Sequence, residues 1–416
     1  EGLGGISDIN QQLCLAVSLW NEKDPILKER LFGLGGADGN HGEDVKELYY
    51  YLDASPTHSY LKMLYKYPQQ EFPYKALLTE NQRRSRKDPE YELQDTGIFN
   101  ENKYFDVFIE YAKASADDIL MKITVYNRGT AVAPLHVMPT LWFRNTWAWG
   151  YPSENGKPLL DAQAPDIISI HHESLGNIVL YAESPDELLF CDNETNTARL
   201  YNSAPMHPYY KDGINDYVTQ GEKSVNPANS GSKAAAHFKR MIIPGKPEVF
   251  RLRLRVAGIK NPFEDFGKVF NDRITEADLY YAALQKDIAN DELKKIHRQA
   301  FAGMIWSKQY YHYNVKKWLA GDPAGPVPPA ERLKGRNHQW VHLNNSDVIS
   351  MPDTWEYPWF AAWDLAFHSI CFAKVDPAFA KKQLIILTHE WYMHPSGQLP
   401  AYEWAFSDVN PPVHAW

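Results

Sequence analysis

YFDVFIEY (104–111) decides the fold class of this chain. Phe105, Val107, Ile109 and Tyr111 alternate with Asp106, Phe108 and Glu110. A period of two puts each set on its own face of an extended chain, the pattern of a half-buried strand. The period continues in ILMKITVYNRG (119–129), where Ile119, Met121, Ile123 and Val125 alternate before Asn127-Arg128-Gly129 supplies a turn. VFRLRLRV (249–256) repeats it, with Leu252, Leu254 and Val256 on one face and three arginines on the other. Further strands are expected near 134–143, 167–172, 177–182, 188–192 and 236–243. Many short strands separated by turn residues predict a large double-sheet β-sandwich.

The pattern is helical on either side of this region. Residues 7–20 (SDINQQLCLAVSLW) read as a short leading helix capped by Ser7 or Asp8. The glycine-rich stretch 33–42 (GLGGADGNHG) lacks the Lys-Ser/Thr of a phosphate-binding loop and reads as plain loop. After about 262, helices are predicted over 264–288 and over 291–320, the latter with acidic cap Asp291 and following glycine Gly321. A proline-rich loop (321–329) precedes a helix around 358–373. The next helix opens with the N-cap and N1 pair Asp376-Pro377 and runs to about 393. Strands first and helices afterwards imply two domains rather than an interleaved α/β fold. The expected organisation is a sandwich domain with short leading helices over 1–260, a helical linker over 261–290, and a helical domain over 291–416. That helical half stops soon after it starts, so the chain reads as truncated or partial.

Composition excludes several classes. A net charge of −9 is wrong for a nucleic-acid partner, which needs a basic surface. No apolar run approaches the roughly 20 residues of a membrane span. Three widely spaced cysteines, Cys14, Cys191 and Cys371, show no metal-ligand pattern and suit a reducing compartment, so a cytoplasmic location is expected. The sequons at Asn193 and Asn344 are of a kind that arises by chance. His389, Glu390 and His394 lack zinc-protease spacing, and His41 and His58 are isolated, so neither a metal nor a cofactor is expected. No Ser sits in a nucleophile elbow.

The chain has 13 Trp and 25 Tyr, and two segments set Trp and Tyr among acids, MPDTWEYPWFAAWDLAFHSI (351–370) and HPSGQLPAYEWAFSDVNPPVHAW (394–416). Single aromatic side chains are often plain core. A carboxyl set among rings is different, because apolar surroundings disfavour the charged form and suit the group to proton donation. Glycosidic cleavage typically uses two carboxyl groups, one to protonate the leaving oxygen and one to activate water or attack. Asp364, after Trp363, is the candidate acid, with an N-cap for a 365–373 helix as its plain structural alternative. Glu403, between Tyr402 and Trp404, is the other conspicuous acid, as second catalyst, sugar ligand or partner of a basic residue. Glu356 and Asp408 are weaker candidates.

Five segments resemble glycoside hydrolase family 63, the processing α-glucosidase I family and its microbial relatives. They are HGEDVKELYYYLDASPTHSYLKMLYKYPQ (41–69), YELQDTGIFNENKYFDVFIEYAKA (91–114), FAGMIWSKQYYHYNVKKWL (301–319), PWFAAWDLAFH (358–368) and GQLPAYEWAFSDVNPPVHAW (397–416). The resemblance implies an N-terminal β-sandwich followed by an (α/α)6 barrel, only the first part of which lies within 291–416. It implies an inverting mechanism whose general acid is Asp364 and whose general base lies beyond the segment matched by Pro411-Pro412, outside this chain. Glu403 and Asp408 then become sugar ligands, joined by Asn410, with Trp359, Trp363 and Trp404 lining the innermost subsite and Gln309 and Tyr310 reaching in from the first barrel helix. The implied partner is an oligosaccharide or small α-glycoside. On this reading the 416-residue polypeptide alone has little or no hydrolase activity. A phosphorylase of the same architecture and a non-catalytic sugar-binding or assembly protein remain the alternatives.

Overall fold

The computed structural model describes residues 2–38, 44–152, 156–335, 337–353, 355, 359–399, 401, 410–411 and 413–416. It divides into two compact units. The first comprises Glu1–Asp8, Gln12–Asn145 and Lys157–Ala302, the second Ile9–Gln11, Thr146–Gly156 and Gly303–Trp416.

The first unit is built on two antiparallel sheets. The larger has nine strands in the order Ser230–Gly231, Leu159–Ala164, Ile167–His172, Gly176–Ala182, Glu248–Val256, Asp118–Asn127, Tyr104–Ser115, Tyr60–Pro68 and Tyr49–Ala54. The smaller has five, in the order Leu3–Ser7, Leu13–Trp20, Ala133–Phe143, Lys233–Ile242 and Glu187–Cys191. Phe105, Val107, Ile109, Tyr111, Met121, Ile123 and Val125 are all buried, as their alternation predicts. The sheets meet where the Phe238 and Phe250 rings lie 5.1 Å apart and where the Tyr111 hydroxyl donates to the Gly4 carbonyl at 2.7 Å. Gly4 has φ +60, and a Cβ there would stand 2.8 Å from Ile109, so only glycine lets the first strand pass so close.

The outer face of the larger sheet is covered in part by the helix Phe266–Leu284, whose Phe266, Phe270 and Ala277 pack on Tyr60, Ala112 and Leu120. The arginine stripe of 249–256 faces this side. Arg253 is buried in a bidentate pair with Asp118 (2.7 and 2.8 Å) and reaches Asp265 just ahead of the helix. The pairing offsets the desolvation that a buried guanidinium would otherwise suffer.

The leading segment departs from expectation. Residues 7–20 form no helix: Leu13–Trp20 is a strand flanked by Leu3–Ser7 and Ala133–Phe143. Its interior position buries every residue from Leu13 to Leu19, and a run apolar at all but Ser18 has no period to separate strand from helix.

The helix expected over 291–320, which begins in the first unit and ends in the second, is interrupted. Asp291–Trp306 is helical, Lys308–Asn314 is a strand, and Val315–Ala320 is a short helix ending at Gly321, where φ is +80. Asn290, rather than Asp291, accepts the first free amides of the long helix. The strand pairs with Asn344–Ser350, with Gln309 opposite Ile349 and Asn314 opposite Asn344. Two helices follow, Ala362–Val375 and Pro377–Ile386, shorter than the expected 358–373 and 376–393 spans. Asp376 caps the second through the Phe379 amide (3.0 Å), with Pro377 in the first turn as expected. The described residues of the second unit form a hairpin with packed helices, and an (α/α)6 barrel is not among them. None of their helices is long and apolar enough to cross a membrane.

Candidate functional site

The hairpin and the two helices share a core of Val315, Leu319, Trp340, Leu343, Ile349, Met351, Phe360, Ala362, Leu365, Ile386, Leu387 and Tyr392. Gln383 fixes the second helix to the hairpin's free edge. Its Oε1 accepts from the Ser350 amide (3.0 Å) and its Nε2 donates to the Val348 carbonyl (3.1 Å), so the edge is paired by a side chain.

Asp364 stands on this platform as the third residue of the helix Ala362–Val375, half-buried. It is not the N-cap. That position belongs to Ala361, which offers no side-chain cap, so the Asp364 carboxylate is not used in closing the helix. It has no hydrogen-bond or ion-pair partner among the described residues. The positive end of the helix dipole favours a carboxylate in this first turn. Trp363 is half-buried, its ring 5.5 Å from Phe367 in an edge contact. Trp359 is half-buried just upstream, and Phe360 is anchored between Trp340 (6.3 Å) and Tyr392 (5.8 Å).

The helix start is also where the C-terminal segments gather. The Ala362 amide donates to the Ala401 carbonyl (3.1 Å), and His414 Nε2 donates to the Ala362 carbonyl (3.0 Å). Asn410 is half-buried, and its Nδ2 is buried without a hydrogen-bond partner among the described residues. Glu403, Trp404 and Asp408, with Glu356, lie outside the described residues.

Gln309 and Tyr310 are on the strand Lys308–Asn314 and not on a helix, so their side chains point to opposite faces. Gln309 pairs with Ile349 on the core side and has a buried Nε2 without a partner among the described residues. Tyr310 takes the other face, with its hydroxyl 2.9 Å from Ser346 and its ring stacked 6.2 Å from His312. His312 stacks in turn with Trp149 at 5.9 Å. The two candidates are thereby separated.

Sequence reasoning missed His368. It lies one helical turn after Asp364, and its Nδ1 is 2.7 Å from the Ser350 hydroxyl. Burial pushes its imidazole below the ordinary histidine range, and the Asp364 charge opposes that shift. The i, i+4 spacing of an Asp and a His was the available signal.

Asp44, Glu90 and Glu92, in the first unit, lie close enough together to hold a cation. The Lys46 ammonium already stands among them at 2.7, 2.7 and 2.9 Å. Three carboxylates around an ammonium satisfy one another, and this cluster reads as structural.

No family model matches the chain. It is similar to an uncharacterized protein of Saccharomyces cerevisiae, 44% identical over 464 aligned positions that cover 100% of this chain and 43% of the yeast protein. The chain thus spans less than half the length of that relative. Among solved structures, a GalM/aldose epimerase homologue from C. elegans aligns with 50% of this chain and 69% of its own at TM-score 0.26 and 6% identity. A kojibiose phosphorylase homologue from the human microbiome aligns with 73% of this chain and 40% of its own at TM-score 0.19 and 8% identity. Likenesses of this size carry no argument.

Proposed function

We propose that the chain belongs to a carbohydrate-processing enzyme, specifically an inverting, exo-acting glycoside hydrolase that removes terminal α-linked glucose or a related α-hexose from oligosaccharides. The observation that carries this reading is Asp364. A half-buried carboxyl beside Trp363, neither capping its helix nor bound to a described partner, is available to protonate a leaving oxygen. The resemblance of PWFAAWDLAFH (358–368) to the acid-bearing segment of family 63 supports the same assignment.

In this reading Trp359 and Trp363 offer flat apolar faces to the sugar ring. Gln309 and Asn410 each hold a buried amide donor without a partner among the described residues, and a sugar hydroxyl would satisfy it. Glu403, Asp408 and Trp404 complete the subsite in the proposal. The water-activating carboxylate is supplied by another part of the whole protein. Inversion needs two carboxyl groups about 6.5–9.5 Å apart, leaving room for water on the far face of the sugar.

The test is an assay of the whole protein on a panel of α-glucosides, with and without inorganic phosphate, beside Asp364→Asn. The proposal expects phosphate-independent hydrolysis that falls by about 10²–10⁴-fold in the variant, the usual contribution of a general acid. Product formation only with phosphate would make the protein a phosphorylase. Undiminished sugar binding by the variant, with no turnover by the parent, would make it a binding protein.

A further inference from the structure

A chain of four ionisable side chains crosses the five-stranded sheet of the first unit. His136 lies on Ala133–Phe143 and His237 on the neighbouring Lys233–Ile242. Their rings face one another with centroids 4.9 Å apart, and His136 Nδ1 is 2.8 Å from His237 Nε2. The other nitrogen of each ring meets a carboxylate. His136 Nε2 is 3.1 Å from Glu22 Oε1, and His237 Nδ1 is 2.9 Å from Glu187 Oε1. Both histidines are buried. The neighbouring Val137 and Phe238 belong to the sandwich interior, so strand alternation places the pair on the sheet's other face. The helix Gly213–Gln220 reaches the chain there, through the Tyr217 hydroxyl that donates to Glu187 Oε2 at 2.9 Å.

Counting protons decides what this chain is. It has three contacts in series, and each is a hydrogen bond only if one proton lies in it. An ionised carboxylate supplies none, and a neutral imidazole supplies one. Two neutral rings between two carboxylates therefore leave one contact unmade, with two lone pairs facing each other across it. A third proton completes all three, giving an imidazole–imidazolium pair that belongs to the two rings jointly.

We propose that His136 and His237 hold one proton between them, forming an acid-strengthened clasp that ties Glu22 to Glu187 across the sheet. Burial lowers the His136 imidazolium below its ordinary range, with the Glu22 hydrogen bond opposing, which makes His136 the neutral member. It donates from Nε2 to Glu22 and accepts at Nδ1. The surrounding charges are balanced around this arrangement. Lys239 stands 3.5 Å from Glu22, Arg240 pairs with Asp186 at 2.5 Å, and Tyr217 covers Glu187. The hydrogen-bond count follows the proton: with it all three contacts are made, and without it one is lost. Loss of the proton opens one link of the side-chain tie between Glu187 and Glu22, leaving Glu187–Cys191 held by its backbone ladder to Lys233–Ile242.

The experiment is NMR of histidine-labelled protein across about pH 5 to 8, the range where imidazole charge changes, with Glu187→Gln alongside. The expected spectrum at the acidic end shows three ring protons on the pair, with His136 protonated at Nε2 alone. Raising the pH removes one proton and speeds amide exchange in Glu187–Cys191 and Gly213–Gln220 beyond the intrinsic rate. Glu187→Gln, which keeps an acceptor but removes the charge, lowers the midpoint by about 1 pH unit or more. Two ring protons throughout, or a midpoint indifferent to Glu187→Gln, would overturn the clasp. So would a spectrum altered by a chelator, since the pair would then be metal ligands.

Discussion

Single residues carry charge in places where charge is costly, and each such place makes a prediction. Arg253 is buried, and its loss leaves Asp118 without its bidentate partner on the covered side of the larger sheet. Arg253→Leu is expected to cost about 3–5 kcal/mol in denaturant unfolding, the range for breaking a buried pair from one side. Asp44 behaves differently. Burial raises its carboxyl to about 6 despite the Lys46 ammonium. Its unfolded value is about 3.9. The folded state binds the proton more tightly, so this stabilisation is present at low pH and is lost as pH rises from about 4 to about 6. Melting temperatures of the parent should therefore fall relative to Asp44→Asn over that window and run parallel above it. An unchanged difference across the window would remove Asp44 from the account. At this scale the candidate site was partly legible: Trp363-Asp364 stood out among apolar neighbours, and His368 was readable one turn later. The His136–His237 chain was not, because its members meet only after the strands pair.

Elements were legible where one face is wet or covered differently from the other. Tyr104–Ser115, Asp118–Asn127 and Glu248–Val256 sit inside the larger sheet with an apolar interior face and a more polar outer one, so a period of two survives in the sequence. Leu13–Trp20 is buried on both faces, its sequence is apolar but for Ser18, and a helical reading fitted as well. The strand Lys308–Asn314 failed for the opposite reason. KQYYHYN is half-buried at every position and follows a helix without Gly or Pro between them, so nothing apolar alternates. Its Tyr-rich composition was the one strand signal present. The hairpin it forms depends on Gln383. Gln383→Ala removes both edge hydrogen bonds and should destabilise the protein by about 1–3 kcal/mol. Faster amide exchange in Asn344–Ser350 should accompany the loss, and no change there would mean that the core holds the hairpin by itself.

For the whole molecule, the strand-rich part was predictable because a sandwich writes its alternation into local sequence. The helical part was not. Its packing depends on residues far apart, such as the Ala401 and His414 contacts at the start of the Asp364 helix. The chain covers 43% of the yeast relative, so the catalytic proposal is a statement about the whole protein and is tested there. The most direct measurement is proton NMR of the first sugar released by the whole protein from an α-glucoside, run in parallel with Asp364→Asn. The account predicts β-anomer as the initial product, formed without phosphate, and a rate lower by about 10²–10⁴-fold in the variant. Initial α-anomer, or equal rates for parent and variant, would contradict it.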